Sequence, residues 1–312
     1  MVTSSSIVTV GVCAVCGSGK VVTVLARSVC EFLGSRVQDY RLDRLGLDGS
    51  EMVGYARCLT CSFMFASPTL DDRLEHAAYN DVKEGRDPKH SEWARDADVR
   101  NLYETYHKWV DVHPFVLALG LHTMRYDRPR NYGKKQLRLL DVGCGYGHTL
   151  EIARLFGVEA EGCDLDASRL AACRDKGLQV SYPDAIKGTY DIVLSSNVSE
   201  HVFDVHGYIG MVARHLAEDG VFVFNGLEQS VVRVELRKKA FKLLHPIEHR
   251  NIFTHRSLTR LLGDHALRLA ERGELIGAMK RLRSRAPMYL PYLLRGGFVS
   301  FNGVFSAIAR RR

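Results

Sequence analysis

Short apolar runs alternate with amphipathic stretches through the second half of the chain. Each apolar run predicts a buried strand, and each amphipathic stretch predicts a helix. The predicted strands cover residues 139–142, 158–163, the surroundings of Val180, 190–195 and 221–224. The predicted helices run to about Phe156, over 167–176 and over 205–216. Alternation of strand and helix predicts a parallel sheet with helices on both faces.

One loop joins the first predicted strand to a helix and carries glycines at every second position. Gly143, Gly145 and Gly147 let the backbone approach a ligand closely at the carboxyl end of a parallel strand. A dinucleotide fingerprint would need a glycine where His148 stands, and no P-loop lysine follows, so a phosphate ligand is poorly supported. Asp164 ends the second strand, where a carboxylate can accept both hydroxyls of a ribose.

In these residues the chain resembles the class I S-adenosylmethionine-dependent methyltransferases. The first motif of that family matches Asp141 and the three glycines, and its ribose-binding acid matches Asp164. Thr189–Val202 is similar to the fourth strand and its exit loop, and His215–Phe224 is similar to the helix, turn and fifth strand that follow. The resemblance covers roughly residues 136–264. Another nucleotide-binding α/β domain is the alternative.

The resemblance implies a Rossmann-like α/β fold with a seven-stranded, mostly parallel sheet and helices on both faces. Strands near 267–272 and 303–308 would complete the sheet, the last one antiparallel to the rest. The implied cofactor is S-adenosyl-L-methionine, and Asn197 in the exit loop is among the residues that would bind it. The family also commonly places a polar contact to the adenine amine at the position of Asp184, for which an ordinary turn aspartate beside Pro183 is the alternative.

Four of the eight cysteines form two CxxC pairs, Cys13 with Cys16 and Cys58 with Cys61. Each pair offers two thiolates from one tight turn, and two such turns brought together make a closed tetrahedral zinc site. Structural zinc is therefore the prediction, with a redox dithiol or a metal-free site as alternatives. The other cysteines are expected to be small buried packing residues: Cys30, Cys144, Cys163 and Cys173.

The sequence around the second cysteine pair sharpens the resemblance. The motif SFMFASP after that pair, and the spacing of Leu70 and Tyr79, are similar to the N-terminal zinc-binding segment of methyltransferases that act on deoxysugars and related small molecules, including sugar C-methyltransferases. We expect a small zinc-binding domain over 1–66, a helical segment covering the cofactor cleft over 67–135, and the S-adenosylmethionine-binding domain with substrate-side elements over 136–312. Tyr79 is either a wall of the cleft near the sulfonium, as the family implies, or a core tyrosine.

Composition and charge limit the remaining possibilities for the class of protein and its location. With 46% hydrophobic and 25% charged residues, the 312-residue chain has the composition of a globular protein, and its length predicts one main domain with an appendage. The net charge of +7 suits an anionic acceptor such as a nucleotide-linked sugar, or reflects solvated helix faces. No apolar stretch is long enough to span a bilayer and no basic residue precedes the apolar run at 7–16, so we expect a cytoplasmic protein without a secretory signal.

Two histidine positions are the candidate catalytic bases. Methyl transfer from a sulfonium is an in-line displacement, so the protein must hold the acceptor beyond the methyl group. An oxygen or carbon acceptor also loses a proton, and histidine suits that step. His201 follows Glu200 after the fourth strand, and His249 follows Glu248 in the fragment EHRNIF. In the resembling C-methyltransferases, the residues at the positions of Glu248 and His249 lie beside the acceptor, as does a histidine near the fourth-strand exit.

The sequence therefore predicts methyl transfer to a small-molecule acceptor, a sugar or another hydroxylated biosynthetic intermediate. An RNA methyltransferase is one alternative, but the cysteine-rich region lacks the interleaved basic and aromatic residues typical of single-stranded nucleic-acid binding. A non-catalytic binding protein that retains the fold is another, against which the intact Asp141, glycines and Asp164 argue. The oligomeric state and the methylated atom stay open.

Overall fold

The computed structural model describes residues 7–34, 37, 40, 42–71, 73–74, 137–155, 157–232, 236, 243–271, 298–301 and 304–312. The helical segment expected over 67–135 lies mostly outside these residues, and Tyr79 lies wholly outside them, so both stay predictions. In the part of the chain that the structure describes, no helix is both long and apolar enough to cross a membrane.

The described elements are numbered here in chain order. The strands are β1 Ile7–Val8, β2 Val21–Ser28, β3 Met52–Cys58, β4 Met64–Ala66, β5 Thr69–Leu70, β6 Arg138–Val142, β7 Glu159–Cys163, β8 Gln179–Ser181, β9 Tyr190–Ser195, β10 Leu216–Leu227, β11 Asn251–Ile252, β12 Leu267–Leu269, β13 Phe298–Phe301 and β14 Val304–Arg311. The helices are α1 Val29–Leu33, α2 Leu42–Leu45, α3 His148–Leu155, α4 Ala167–Asp175, α5 Val205–His215 and α6 His255–Asp264.

The main sheet has a topological switch point at its centre. Its strand order is β12-β14-β10-β9-β6-β7-β8, with β13 paired to β14. The chain moves from β6 to β7 in one direction along the sheet and from β9 to β10 in the other. Because parallel crossovers are right-handed, α3 and α4 lie on one face and α5 on the other. The carboxyl ends of β6 and β9 flank the switch point, where open α/β sheets bind ligands.

The predicted fold class is confirmed, including the antiparallel β14 next to β10. One difference is the start of β10, which lies at Leu216 instead of Val221. The polar residues Glu218 and Asp219, followed by Gly220, interrupt the apolar pattern there, and the pairing of β10 with β9 shifts its register across the same stretch. The sequence also gave no signal for β13, which pairs only with β14 among the described strands.

The N-terminal segment packs directly against the main sheet. Strands β2, β3 and β4 form an antiparallel sheet, and β11 from the C-terminal half adds a fourth strand beside β4. Phe63 and Phe65 of this segment share one apolar core with Val142 of β6 and with Phe253, which directly follows β11. The rings of Phe63 and Phe253 lie 5.1 Å apart between centroids. The cysteine-bearing segment is therefore joined to the rest of the chain by a strand and by a common core.

The cysteines outside the CxxC pairs fall into two groups. Three are buried, as expected: Cys144, Cys163 and Cys173. The prediction for Cys30 was wrong, because its side chain is exposed. Helix α1 buries Val29, Phe32 and Leu33, which lie on one face at helical spacing, and Cys30 falls outside that face.

We expect Phe253→Ala to lower the free energy of unfolding by about 3–5 kcal/mol, because it removes a ring that is 1% exposed between the two sheets. Chemical denaturation followed by circular dichroism measures this loss. Leu236→Ala is the control, since that side chain is 41% exposed and its loss should change the free energy by no more than about 0.5 kcal/mol. Equal effects of the two substitutions would contradict a core shared between the sheets.

Candidate functional site

The three glycines of the loop after β6 have different roles. All three have positive φ, at 74°, 55° and 80° for Gly143, Gly145 and Gly147. A Cβ on Gly143 would lie 2.2 Å from Val198, and one on Gly147 would lie 2.4 Å from Leu178. These two positions need glycine because any side chain there would clash with neighbouring side chains. A Cβ on Gly145 would meet nothing within 4 Å. Gly145 is therefore the position at which the loop borders open space at the switch point.

Asp164 is fixed against this loop by its own backbone surroundings. One carboxylate oxygen accepts the N–H of Gly145 at 2.9 Å, and the other accepts the N–H of Asp166 at 3.0 Å. Arg169 adds a guanidinium 3.8 Å from the carboxylate. The residue is 9% exposed, and each carboxylate oxygen keeps a second acceptor site. Asp164 therefore faces the glycine loop, and its ribose contact stays a prediction.

The other residues predicted for the cofactor lie at neighbouring strand ends. Asp141 lies in β6 just before the loop and is 4% exposed. Asp184 is exposed in a short 3-10 turn after β8. Asn197 has a φ of 53°, an exposed side chain, and a backbone N–H that donates to Oδ1 of Asn225 at 2.7 Å. The cofactor roles of these three side chains stay predictions.

Two strongly exposed apolar side chains lie at the same edge of the sheet. Leu165, directly after Asp164, is 77% exposed, and Tyr182, directly after β8, is 43% exposed. Residues 163 and 181 are register partners in adjacent parallel strands, so the two side chains leave neighbouring strand ends. They provide apolar surface beside the carboxylate, which suits a flat heterocyclic ring.

The structure brings the three predicted catalytic residues together. The ring centroids of His201 and His249 are 4.8 Å apart. Nδ1 of His201 lies 2.8 Å from the carbonyl oxygen of Glu248, and Nδ1 of His249 lies 2.6 Å from that of Leu243. A carbonyl oxygen only accepts, so each Nδ1 carries a proton and each neutral ring has its lone pair on Nε2. Both rings thus have the tautomer of a general base or of a metal ligand.

Two sets of hydrogen bonds to backbone carbonyl oxygens hold these histidines in place. The carbonyl oxygen of Glu200 accepts the N–H groups of Arg250 and Asn251 at 2.7 and 3.1 Å. The Asn251 side-chain amide donates to the carbonyl oxygens of Ser199 and Val202 at 3.0 and 2.7 Å. The loop after β9 and the segment before β11 are therefore tied together on both sides of the histidine pair.

The N-terminal segment reaches the same place. Tyr40 donates a hydrogen bond to the carboxylate of Glu248, and Tyr55 donates to the carbonyl oxygen of His249 at 2.8 Å. Glu200 is 4% exposed, and desolvation by burial raises the pKa of its carboxyl to about 7.

The sequence interpretation missed Tyr40, His245 and Asn251. The histidine spacing in HPIEH was a signal for His245, whereas nothing local pointed to Tyr40.

The four cysteines predicted as metal ligands converge in two similar turns. The N–H of Gly17 donates to the carbonyl oxygen of Cys13, and the N–H of Ser62 donates to that of Cys58, each at 2.9 Å. Gly17 and Ser62 both have positive φ, at 68° and 66°. Each CxxC pair is therefore followed by the same tight backbone turn, which directs two thiols to one side.

The sulfur positions fit a tetrahedral ion. The Sγ atoms are 3.5 Å apart for Cys13 and Cys61 and 3.6 Å apart for Cys16 and Cys58, and all four lie within 4.8 Å of one another. Tetrahedral zinc with Zn–S bonds of about 2.3 Å requires sulfur separations of about 3.8 Å. The hydrogen bond from Cys13 lowers the pKa of the Cys61 thiol below its usual value. The donor set, its spacing and this stabilised thiolate all suit zinc.

The sheet order, the glycine loop and the carboxylate that faces it define a class I S-adenosylmethionine-dependent methyltransferase. A family model described as a methyltransferase domain matches residues 116–271, which is half of the chain. The chain belongs to this methyltransferase domain family.

Individual relatives match over shorter stretches. A ubiquinone biosynthesis O-methyltransferase of Bradyrhizobium sp. (strain ORS 278) is 34% identical over 104 residues, which cover 30% of this chain and 41% of that protein. The enzyme of that name from Aromatoleum aromaticum is 27% identical over 151 residues, covering 44% of this chain and 64% of that protein. The chain thus spans less than two thirds of the length of these relatives. A solved plantazolicin methyltransferase, BpumL in complex with SAH, covers 70% of this chain and 93% of its own at 14% identity and a TM-score of 0.46.

Proposed function

We propose that the protein transfers a methyl group from S-adenosylmethionine to an oxygen of a hydroxylated small molecule. The observation that carries the proposal is the pairing of Gly145 and Asp164. The glycine N–H fixes a nearly buried carboxylate beside a loop position with open space in front of it. A ribose on the carboxylate then places the sulfonium along the loop, toward the carboxyl ends of β6 and β9.

The charge at the start of α3 favours a donor without phosphates. Glu151 lies in the first turn of α3, where the helix N-terminus would otherwise attract an anion. Its carboxylate is 3.3 Å from Nζ of Lys176 and 3.8 Å from Nδ1 of His148. A pyrophosphate at this helix terminus would face a carboxylate already held in place, whereas the cationic sulfonium of S-adenosylmethionine would not be repelled by it.

The histidine pair supplies the proton acceptor. An O-methylation requires the acceptor hydroxyl to lose its proton as the oxygen attacks the methyl carbon and the C–S bond breaks. Nε2 of His201 or His249 has the lone pair for that proton, because Nδ1 of each ring is held by a carbonyl oxygen. The name of the matched relatives, ubiquinone biosynthesis O-methyltransferase, supports oxygen as the acceptor atom. A sugar is the acceptor that the N-terminal zinc-segment resemblance favours.

Zinc has a structural role in this proposal. Four cysteines would hold it between the turn that joins β1 to β2 and the turn that joins β3 to β4: Cys13, Cys16, Cys58 and Cys61. The ion would fix the sheet to which β11 and the histidine segment are attached. It supplies no step of the methyl transfer.

We expect isothermal titration calorimetry to show one S-adenosylmethionine bound per chain and no binding of NAD. Gly145→Ala should weaken S-adenosylmethionine binding at least about tenfold, because a methyl group would occupy the space in front of the loop. Gly157→Ala is the matched control, since Gly157 also has positive φ and open space but lies in a turn remote from the cleft. Tight NAD binding, or equal effects of both substitutions, would contradict the proposed cofactor site.

We expect label from methyl-labelled S-adenosylmethionine to appear in a hydroxylated small molecule when the protein is incubated with nucleotide-linked sugars, hydroxylated aromatics and RNA. His201→Ala or His249→Ala should lower kcat about 10²–10⁴-fold without abolishing cofactor binding, because the proton acceptor is lost. His215→Ala is the control, because His215 is a half-buried histidine with a similar Nδ1–carbonyl contact of 2.8 Å. Label appearing only in RNA would reject the small-molecule proposal.

We expect the chain to be purified with about one zinc per molecule, and Cys16→Ser or Cys58→Ser to reduce this to near zero because a four-thiolate site rarely survives loss of a ligand. Elemental analysis gives the zinc content, and thermal unfolding should show a lower Tm for both variants. Cys30→Ser should retain zinc, since Cys30 is exposed and lies outside the cluster. Full zinc content in Cys16→Ser would refute the four-cysteine site.

A further inference from the structure

Five side chains with metal-ligating atoms meet at the acceptor end of the cleft, and they form two overlapping triads. The ligating atoms of Glu200, His201 and His249 lie within 4.8 Å of one another, and so do those of His245, Glu248 and His249. His249 belongs to both. The second triad comes from a single turn, in which the N–H of His249 donates to the carbonyl oxygen of His245 at 3.1 Å and the two rings lie 4.4 Å apart.

The second triad has the supporting contacts that metal ligands usually have. Histidines that bind a metal generally donate their other ring N–H to a carbonyl or carboxylate, and ligating carboxylates are themselves hydrogen-bonded. Nδ1 of His249 donates to the carbonyl oxygen of Leu243, so the lone pair that can bind a metal is on Nε2. Glu248 accepts the hydroxyl of Tyr40. Both groups are therefore oriented before any ligand arrives.

Charge and burial favour a cation at this place. Glu200 and Glu248 are 4% and 9% exposed, and His245 is 1% exposed. In the described ranges of the chain, neither carboxylate forms an ion pair with a lysine or arginine. A buried carboxylate without a cationic partner either takes up a proton or needs a bound cation, because an unpaired buried charge is costly. Two imidazoles with one carboxylate suit divalent Mn, Fe, Co or Zn, and leave coordination positions open for a substrate.

We propose that His245, Glu248 and His249 bind a divalent transition-metal ion that holds the acceptor. The role of the ion in holding the acceptor rests on the proposed methyl transfer. The binding of the ion to these three residues does not depend on that proposal. An ion with open positions would chelate two neighbouring acceptor oxygens, so the acceptor class is a vicinal diol, a catechol or a hydroxy-carbonyl compound. Chelation acidifies the bound hydroxyl, and because the metal occupies His249, the base is His201.

The step then balances as follows. The hydroxyl proton passes to Nε2 of His201, and the oxygen attacks the methyl carbon of the sulfonium. The new O–CH₃ bond forms as the C–S bond breaks. The electron pair of the C–S bond stays on sulfur, which gives S-adenosylhomocysteine. The imidazolium proton then returns to solvent.

The test is a titration of the full-length, zinc-containing protein with Mn²⁺, followed by the loss of the free Mn²⁺ signal in electron paramagnetic resonance. Mn²⁺ prefers oxygen and nitrogen ligands to thiolates, so it does not report on the cysteine site. We expect about one Mn²⁺ per chain, with binding weakened at least about tenfold by His245→Ala and by His249→Ala. His215→Ala should bind as the unsubstituted protein does, and circular dichroism identifies variants that fail to fold.

His201→Ala separates the ligand role from the base role. It should retain Mn²⁺ while losing methyl transfer, and loss of Mn²⁺ as deep as in His249→Ala would assign the ion to the other triad and overturn the ligand set. Because the titration needs neither cofactor nor acceptor, the two proposals fail separately. Methyl transfer without Mn²⁺ binding would overturn the metal site alone, and Mn²⁺ binding without methyl transfer to any acceptor would overturn the proposed function alone.

Discussion

The arrangement of the site depends on one backbone contact, in which the carbonyl oxygen of Glu200 accepts the N–H groups of Arg250 and Asn251. Buried backbone groups must be paired, so two chain segments that share such bonds cannot separate without a substantial loss of free energy. The same segment also bonds to the N-terminal sheet, because the carbonyl oxygen of Arg250 accepts the N–H of Ala66 in β4. The segment that carries the second histidine is therefore held between the main sheet and the N-terminal sheet.

This arrangement gives the cysteine-bearing segment a mechanical connection to the segment that carries the histidines. The two CxxC turns flank β2 and β3, β3 pairs with β4, and β4 pairs with β11 directly after the histidine segment. A second link runs from the first turn, where the carbonyl oxygen of Val15 lies 3.2 Å from Nε2 of His206 in α5. An ion in the cysteine site would thus stiffen the support of the histidines at a distance, without contacting a reacting atom.

The sequence predicted those features that are encoded within short stretches. The glycine loop, Asp164 and the alternation of strands and helices are local patterns, and the main sheet follows from them through the handedness of its crossovers. The exposure of Cys30 was mispredicted because burial in a five-residue helix depends on which face packs, and no periodicity is readable over so short a length. The contact between Tyr40 and Glu248 joins residues 208 positions apart, and only the folded chain brings them together.

The difference between local and long-range contacts also explains why this chain defines the methyl donor better than the acceptor. The proposed donor end is built by backbone geometry within one βαβ unit, where Gly145 and Asp164 are 19 residues apart. The hydrogen bond between them follows from the strand pairing of β6 and β7. The proposed acceptor end is assembled from the β9 exit, the turn before β11 and Tyr40 of the N-terminal segment, so its shape is a property of packing between them. Substitutions that shift this packing can therefore change the acceptor without altering any residue of the glycine loop. Local geometry therefore fixes the proposed donor site, whereas the shape of the proposed acceptor wall depends on long-range packing.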